Sequence, residues 1–205
     1  MKGLHIFTAI AIATLLWGCS DDEPTYPTPV FKEVIAVVDD LSPATFSYYS
    51  DETSAPIGMV SQSSISGVDS GERVLIQYYT EIADTARRSV PISLKYAGKI
   101  VNGTATKAPM ASILIAEPGQ CEVISSWRSG RWLNMQLQLR YDGQPRGLTM
   151  VADSGTVGND TIECYLLNPG NEIGDASVMR HTFASFDISG IISRQGQYIR
   201  IHEKN

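Results

Sequence analysis

Cys19 is the residue whose setting prescribes a definite reaction. It follows Gly18, and ahead of the pair lies an apolar run from Ile6 to Trp17 behind one positive residue, Lys2. Such a run is too short to cross a bilayer as a helix and has the anatomy of a cleaved secretion signal. A lipoprotein signal peptidase requires a small residue before the cut and a thiol after it, because the thiol first receives the diacylglycerol. Residues 1–18 therefore read as a lipoprotein signal peptide and Cys19 as the lipidation site. Two acyl chains plus an amide-linked third attach a protein stably where a single chain does so only marginally, which makes a membrane the first expected partner. An ordinary signal peptide, with Cys19 a structural cysteine, is the alternative. The acidic run Ser20, Asp21, Asp22 and Glu23 reads either as an export signal or as the solvated start of a tether.

Other chemistries find less support. After removal of the signal, His181 and His202 fall in different predicted strands without a His or Cys neighbour at metal-ligand spacing, so no metal site is expected. Serines are plentiful, but neither a Gly-x-Ser-x-Gly elbow nor a Ser-x-x-Lys pair is present to activate one. Asp39, Asp40, Asp51, Glu52, Asp153, Asp160, Glu163 and Asp187 could converge as an acid and base pair, or simply be solvated turn acids. The loop from Asn168 to Asp175 offers oxygen ligands for calcium, yet Asn, Gly and Asp are also what turns need. No cofactor and no catalytic residue are expected.

Binding candidates are aromatic. Trp127 and Trp132 bracket a tight turn, where they can stack on a sugar ring or staple two sheets together. The pairs Tyr48-Tyr49 and Tyr78-Tyr79 each place one ring outward, and Tyr48 and Tyr79 are taken as the outward members.

Composition sets the frame for these residues. The mature chain has 187 residues with 15 basic and 22 acidic side chains, a net charge of −7. It has no Lys/Arg cluster to displace counterions, so nucleic acid is not an expected partner. Only Cys121 and Cys164 remain besides Cys19, and two thiols do not make a disulfide scaffold; both are expected reduced and buried.

Residues 19–30 are acidic and carry Pro24, Pro27 and Pro29, which prevent a helix or a central strand and define a tether. Strands are expected at Phe31–Val38, ending at a turn at Asp39-Asp40, then at Thr45–Tyr49, Ile57–Val60 and Arg73–Thr80. In the last of these Val74, Ile76 and Tyr78 share one face. Val90, Ile92, Leu94 and Tyr96 alternate with polar residues, although Pro91 points to an edge or a strand start. A short strand at Ser112–Ala116 ends at the turn Glu117-Pro118-Gly119.

The second half predicts a hairpin of Glu122–Trp127 and Trp132–Tyr141. Leu133, Met135, Leu137 and Leu139 form its core face, and Asn134, Gln136, Gln138 and Arg140 its wet face. Asp142-Gly143 is a tight-turn signal, and strands follow at Arg146–Ala152, Thr161–Leu167, Thr182–Ile188 and Tyr198–Glu203. The expected architecture is all-β: an OB-like barrel over residues 31–117 and an antiparallel β-sandwich over residues 118–205.

With these residues in hand, the chain resembles the NigD-like lipoproteins of Bacteroides-type bacteria. The resemblance rests on Trp127, Gly130, Leu133-Asn134, Tyr141-Asp142, Leu166-Leu167-Asn168 with Gly174-Asp175, and Phe186-Asp187-Ile188. In the first half it rests on the run from Gly71 to Tyr78. It implies an OB-like domain, a β-sandwich and a lipid anchor, and the acidic run after Cys19 resembles the signal that sends such lipoproteins to the outer face of the outer membrane. The family name comes from a bacteriocin locus and so suggests an immunity role. The expected function is a surface lipoprotein acting as a non-enzymatic binding or protective module, with a protein or glycan as ligand. A glycan-binding accessory protein is the alternative, and an enzyme using paired carboxylates stands third.

Overall fold

The computed structural model describes residues 29–80, 89–115, 121–141, 147–167 and 178–202. The signal peptide, Cys19, the Ser20–Glu23 run, the turns at 117–119 and 142–143 and the 168–175 loop lie outside the described residues.

The first five strands are β1 (Val30–Leu41), β2 (Ala44–Tyr48), β3 (Ile57–Ser61), β4 (Arg73–Thr80) and β5 (Ser89–Lys99). They close into a barrel in the order β1-β2-β3-β5-β4. Every neighbour is antiparallel except β3 and β5, where Met59 lies opposite Val90 in parallel register. Closure leaves the barrel without an unpaired edge, which is how an OB-like sheet of short strands avoids exposing its backbone. Val38, Phe46, Met59, Val74, Ile76 and Tyr78 fill the interior. Val68, from the connection between β3 and β4, packs into the same core.

Two irregularities alter the expected faces. Asp39-Asp40 is not a turn but part of β1, where the register slips between Val38 and Asp40. The chain reverses instead at Ser42 and Pro43, whose peptide is cis. In β5, Gln77 pairs with Tyr96 while Tyr78 pairs with Leu94, so one extra residue is accommodated at a bulge. A bulge offsets the alternation of faces. Tyr96, expected inward with Leu94, is consequently 49% exposed.

The later strands are β6 (Val101–Thr104), β7 (Thr106–Ala108), β8 (Cys121–Ser129), β9 (Trp132–Tyr141), β10 (Thr149–Asp153), β11 (Thr161–Leu167), β12 (Val178–Asp187) and β13 (Tyr198–His202). They form two four-stranded sheets, β13-β11-β10-β7 and β6-β12-β9-β8. Met135, Leu137, Met150, Ile162, Phe186 and Ile188 are among the residues buried between them. Gly103 on β6 makes room for this packing, since a Cβ there would lie 2.8 Å from the Phe186 ring.

The strands do not divide at residues 117–118. β6 and β7 pair in parallel with β12 and β10, so residues 101–108 contribute one strand to each sheet of the sandwich. The barrel strands end at Lys99. The segment expected as a strand at Ser112–Ala116 is a short helix, α1 (Met110–Ile115), that buries Ile113. It starts after Pro109, whose carbonyl accepts from the Ser112 and Ile113 amides at 2.9 and 3.3 Å. Proline suits the start of a helix because its missing N–H would have no partner there.

Candidate functional site

Arg73 opens β4, a strand made mostly of apolar and aromatic residues, and is only 4% exposed. Its guanidinium leaves the barrel and enters the sandwich. Nε donates to Ser185 Oγ at 3.1 Å, and Nη2 donates to Ser129 Oγ at 3.2 Å and Asn134 Oδ1 at 2.8 Å. These acceptors also bond one another, Ser185 Oγ to Asn134 Oδ1 at 2.8 Å and Asn134 Nδ2 to Ser129 Oγ at 2.7 Å. Asn102 on β6 adds a bond from Nδ2 to the Arg73 carbonyl at 2.9 Å. The partners are neutral, so the buried charge is held by oriented dipoles. Burial accordingly lowers the Arg73 pKa to about 10, still charged at neutral pH.

This network corrects the expectation that Asn134 lies on a wet face with Gln136 and Gln138. Asn134 is fully buried because the barrel covers that end of β9. A signal for it was present in the sequence: Asn is depleted in strands, and Arg at the head of an apolar strand needs partners if it is covered.

Trp132 completes the junction. Arg73 lies 4.4 Å and Arg131 4.9 Å from its ring centroid, and Tyr49 packs against it at 5.3 Å. Arg131 is fixed in turn by Asp187, Nε to Oδ2 at 3.1 Å. With two guanidinium groups over the indole and a tyrosine beside it, Trp132 acts as a staple between barrel and sandwich. Gly130 permits this approach: its φ is +56°, and a Cβ there would lie 3.0 Å from Tyr49 Cδ1. The Gly130 amide also donates to the Asp51 carbonyl at 2.8 Å, a second tie from the hairpin turn to the barrel.

The four rings singled out from the sequence fall in four settings. Tyr48 packs against the barrel core, so Tyr49 and not Tyr48 is the outward member of that pair. Burial, helped by Asp51, raises the Tyr48 pKa. Tyr79 is 38% exposed on the outer face of the barrel, against Phe31. Trp132 sits at the junction.

Trp127 is 37% exposed and lines a rim groove of about 420 Å³ with Glu52, Arg128, Gln197 and Tyr198. Tyr198, the second ring of this groove, is 72% exposed. Arg128 and Glu52 form an ion pair across it. Gln197 forms a fixed floor: its Oε1 accepts from the Ser193 and Arg194 amides at 2.7 and 3.1 Å, and its Nε2 donates to the Asn159 carbonyl at 2.7 Å.

The candidate acids are occupied separately. Asp39 accepts from Ser47, Asp40 from the Leu41 amide and Asp153 from the Gly155 amide. Asp160 pairs with Arg194 and Asp187 with Arg131. Asp51 accepts from Thr53 and Ser54, which hold its carboxyl well below the usual range. Glu163 binds Arg200 at 2.7 Å and His202 Nε2 at 2.6 Å. His202 thus has a carboxylate partner, and its ring stacks on Tyr165 at 4.6 Å. Among the described residues, no group of three His, Cys, Asp or Glu could hold a metal. Cys121 and Cys164 are both buried thiols, and burial with Glu163 nearby pushes Cys164 up to about 12, a poor nucleophile.

No family model matches the sequence, and no curated protein does. Solved structures do match. A NigD-like immunity protein of Bacteroides caccae ATCC 43185 superposes with TM-score 0.59 at 19% identity, covering 84% of this chain and 85% of its own. A predicted lipoprotein of Bacteroides fragilis NCTC 9343 gives 0.61 at 16% identity, over 86% and 89%. A protein of unknown function from Bacteroides vulgatus ATCC 8482 gives 0.62 at 13% identity, over 84% and 83%. Barrel, sandwich and their order along the chain are thus those of the fold that these Bacteroides proteins share, the NigD-like immunity protein among them.

Proposed function

We propose that this chain is a lipoprotein of the outer membrane, held through acylated Cys19 and displayed at the cell surface, that acts by binding and without catalysis. The observation that carries the reading is the rim groove. Its charged groups, Glu52 and Arg128, neutralise each other, while Trp127 and Tyr198 leave aromatic area exposed. Such a groove offers shape, stacking and hydrogen bonds to a ligand. The address Gly18-Cys19 and the run Ser20–Glu23 support the location. The shared fold of a NigD-like immunity protein supports a protective role, in which the bound ligand is a toxic protein. A second reading, a glycan-binding accessory lipoprotein, is favoured by the two exposed rings of the groove, since a ring face stacks on a sugar. A glycan array probed with the mature chain, run beside its Trp127→Ala variant, separates these readings. Trp127-dependent signal on a saccharide class selects the second reading; a blank array, together with bacteriocin sensitivity on deletion of the gene, selects the first. A blank array with unchanged sensitivity contradicts both.

A further inference from the structure

We propose that the outer face of the barrel around Phe31 and Tyr79 docks on the lipid surface that holds Cys19, so that the protein lies against its membrane and does not hang from it. This inference rests on the proposed acylation of Cys19. Phe31 is 51% exposed and Tyr79 38%. Phe31 lies opposite Tyr79 across β1 and β4, and Tyr79 opposite Ser93 across β4 and β5, which places all three side chains on one outward row. The Phe31 and Tyr79 rings meet edge to face at 5.4 Å, and Lys95 Nζ lies 5.6 Å from the Tyr79 centroid. Beside them is a hollow of about 500 Å³ lined by Pro29, Pro91 and Ile92. Aromatic rings with a wet edge and a lysine whose stem covers apolar surface are the side chains suited to a headgroup boundary.

Position selects the occupant. Pro29 lines the hollow, and Cys19 is ten residues before it. Ten extended residues reach roughly 35 Å at most. The face is thus adjacent to the point where the tether joins the barrel, and it meets lipid at a high effective concentration.

The acylated mature protein, carrying Ser93→Cys labelled with a fluorophore, is reconstituted in phosphatidylethanolamine/phosphatidylglycerol vesicles that contain acyl-brominated lipid. Flotation reads the anchor, and quenching reads the docking. The label should lose most of its emission, and the same label in Phe31→Ser/Tyr79→Ser, or in Phe31→Ser alone, should float equally and stay bright. Unchanged thermal midpoints show that both variants are folded. A protein that floats with a bright label overturns the docking and leaves the anchor standing; one that does not float overturns both. A label shielded from iodide without vesicles shows that another part of the chain covers the face, which also overturns the docking.

Discussion

Asn134 Oδ1 accepts Nη2 of Arg73 at 2.8 Å, joining side chains 61 residues apart, one from the sandwich and one from the barrel. The bond has consequences for stability because both groups are buried. Arg73→Met removes the charge and leaves Asn134, Ser129 and Ser185 bonded to one another, so the loss should be about 1–3 kcal/mol, less than for a broken buried ion pair. Asn134→Leu leaves the charge short of its best acceptor and should cost about 3 kcal/mol or more. Urea unfolding followed by tryptophan emission checks the order of the two.

The two tryptophans should behave differently. Trp132→Ala removes the ring between Arg73, Arg131 and Tyr49 and should cost about 2–4 kcal/mol of stability. Trp127→Ala, at an exposed rim, should cost under about 1 kcal/mol and act on ligand binding instead. Thermal unfolding of both variants makes the comparison.

Gly130→Ala should destabilise by about 1–2 kcal/mol, because the added Cβ meets Tyr49 and the backbone keeps a positive φ. A changed Trp132 emission maximum would accompany it, since Tyr49 packs on that ring.

Alkaline pH should weaken the fold from pH 9 upward. The Cys164 thiol has an ordinary value of 9.0 and is raised to about 12 when folded, so the folded state keeps a proton that the unfolded chain releases. Stability is complete below pH 9 and falls by about 1 kcal/mol between pH 9 and 10. Above pH 10, Tyr78, raised to about 12, adds to the loss, while Arg73, lowered to about 10, opposes it because the unfolded chain then holds the extra proton. Cys164→Val should flatten the interval from pH 9 to 10, as denaturant midpoints at each pH will show.

Much of the fold is legible in the alternation of single strands. Val74, Ile76 and Tyr78 are inward in the barrel, and Leu133, Met135 and Leu137 in the sandwich, as their period of two requires. Three features depend on partners distant in sequence and escape a local reading. Asn134 is polar and buried because Arg73 reaches it. Tyr96 is outward because a bulge in β5, opposite Gln77 and Tyr78 of β4, offsets the alternation beside it. β6 and β7 belong to the sandwich because β12 and β10 pair with them, a pairing that Val101–Ala108 does not announce. The candidate site is legible in part: Trp127 stands out in the sequence, but Tyr198 joins it through the packing of one sandwich sheet on the other, and Glu52 through the packing of barrel against sandwich.

The proposed location at a membrane underlies both the binding role and the docking of the barrel, and it depends on one atom, the sulfur of Cys19. Cells grown with labelled palmitate should incorporate label into the wild-type protein and none into Cys19→Ala, which should also retain residues 1–18. Equal labelling of the two proteins, or none in either, would contradict the account.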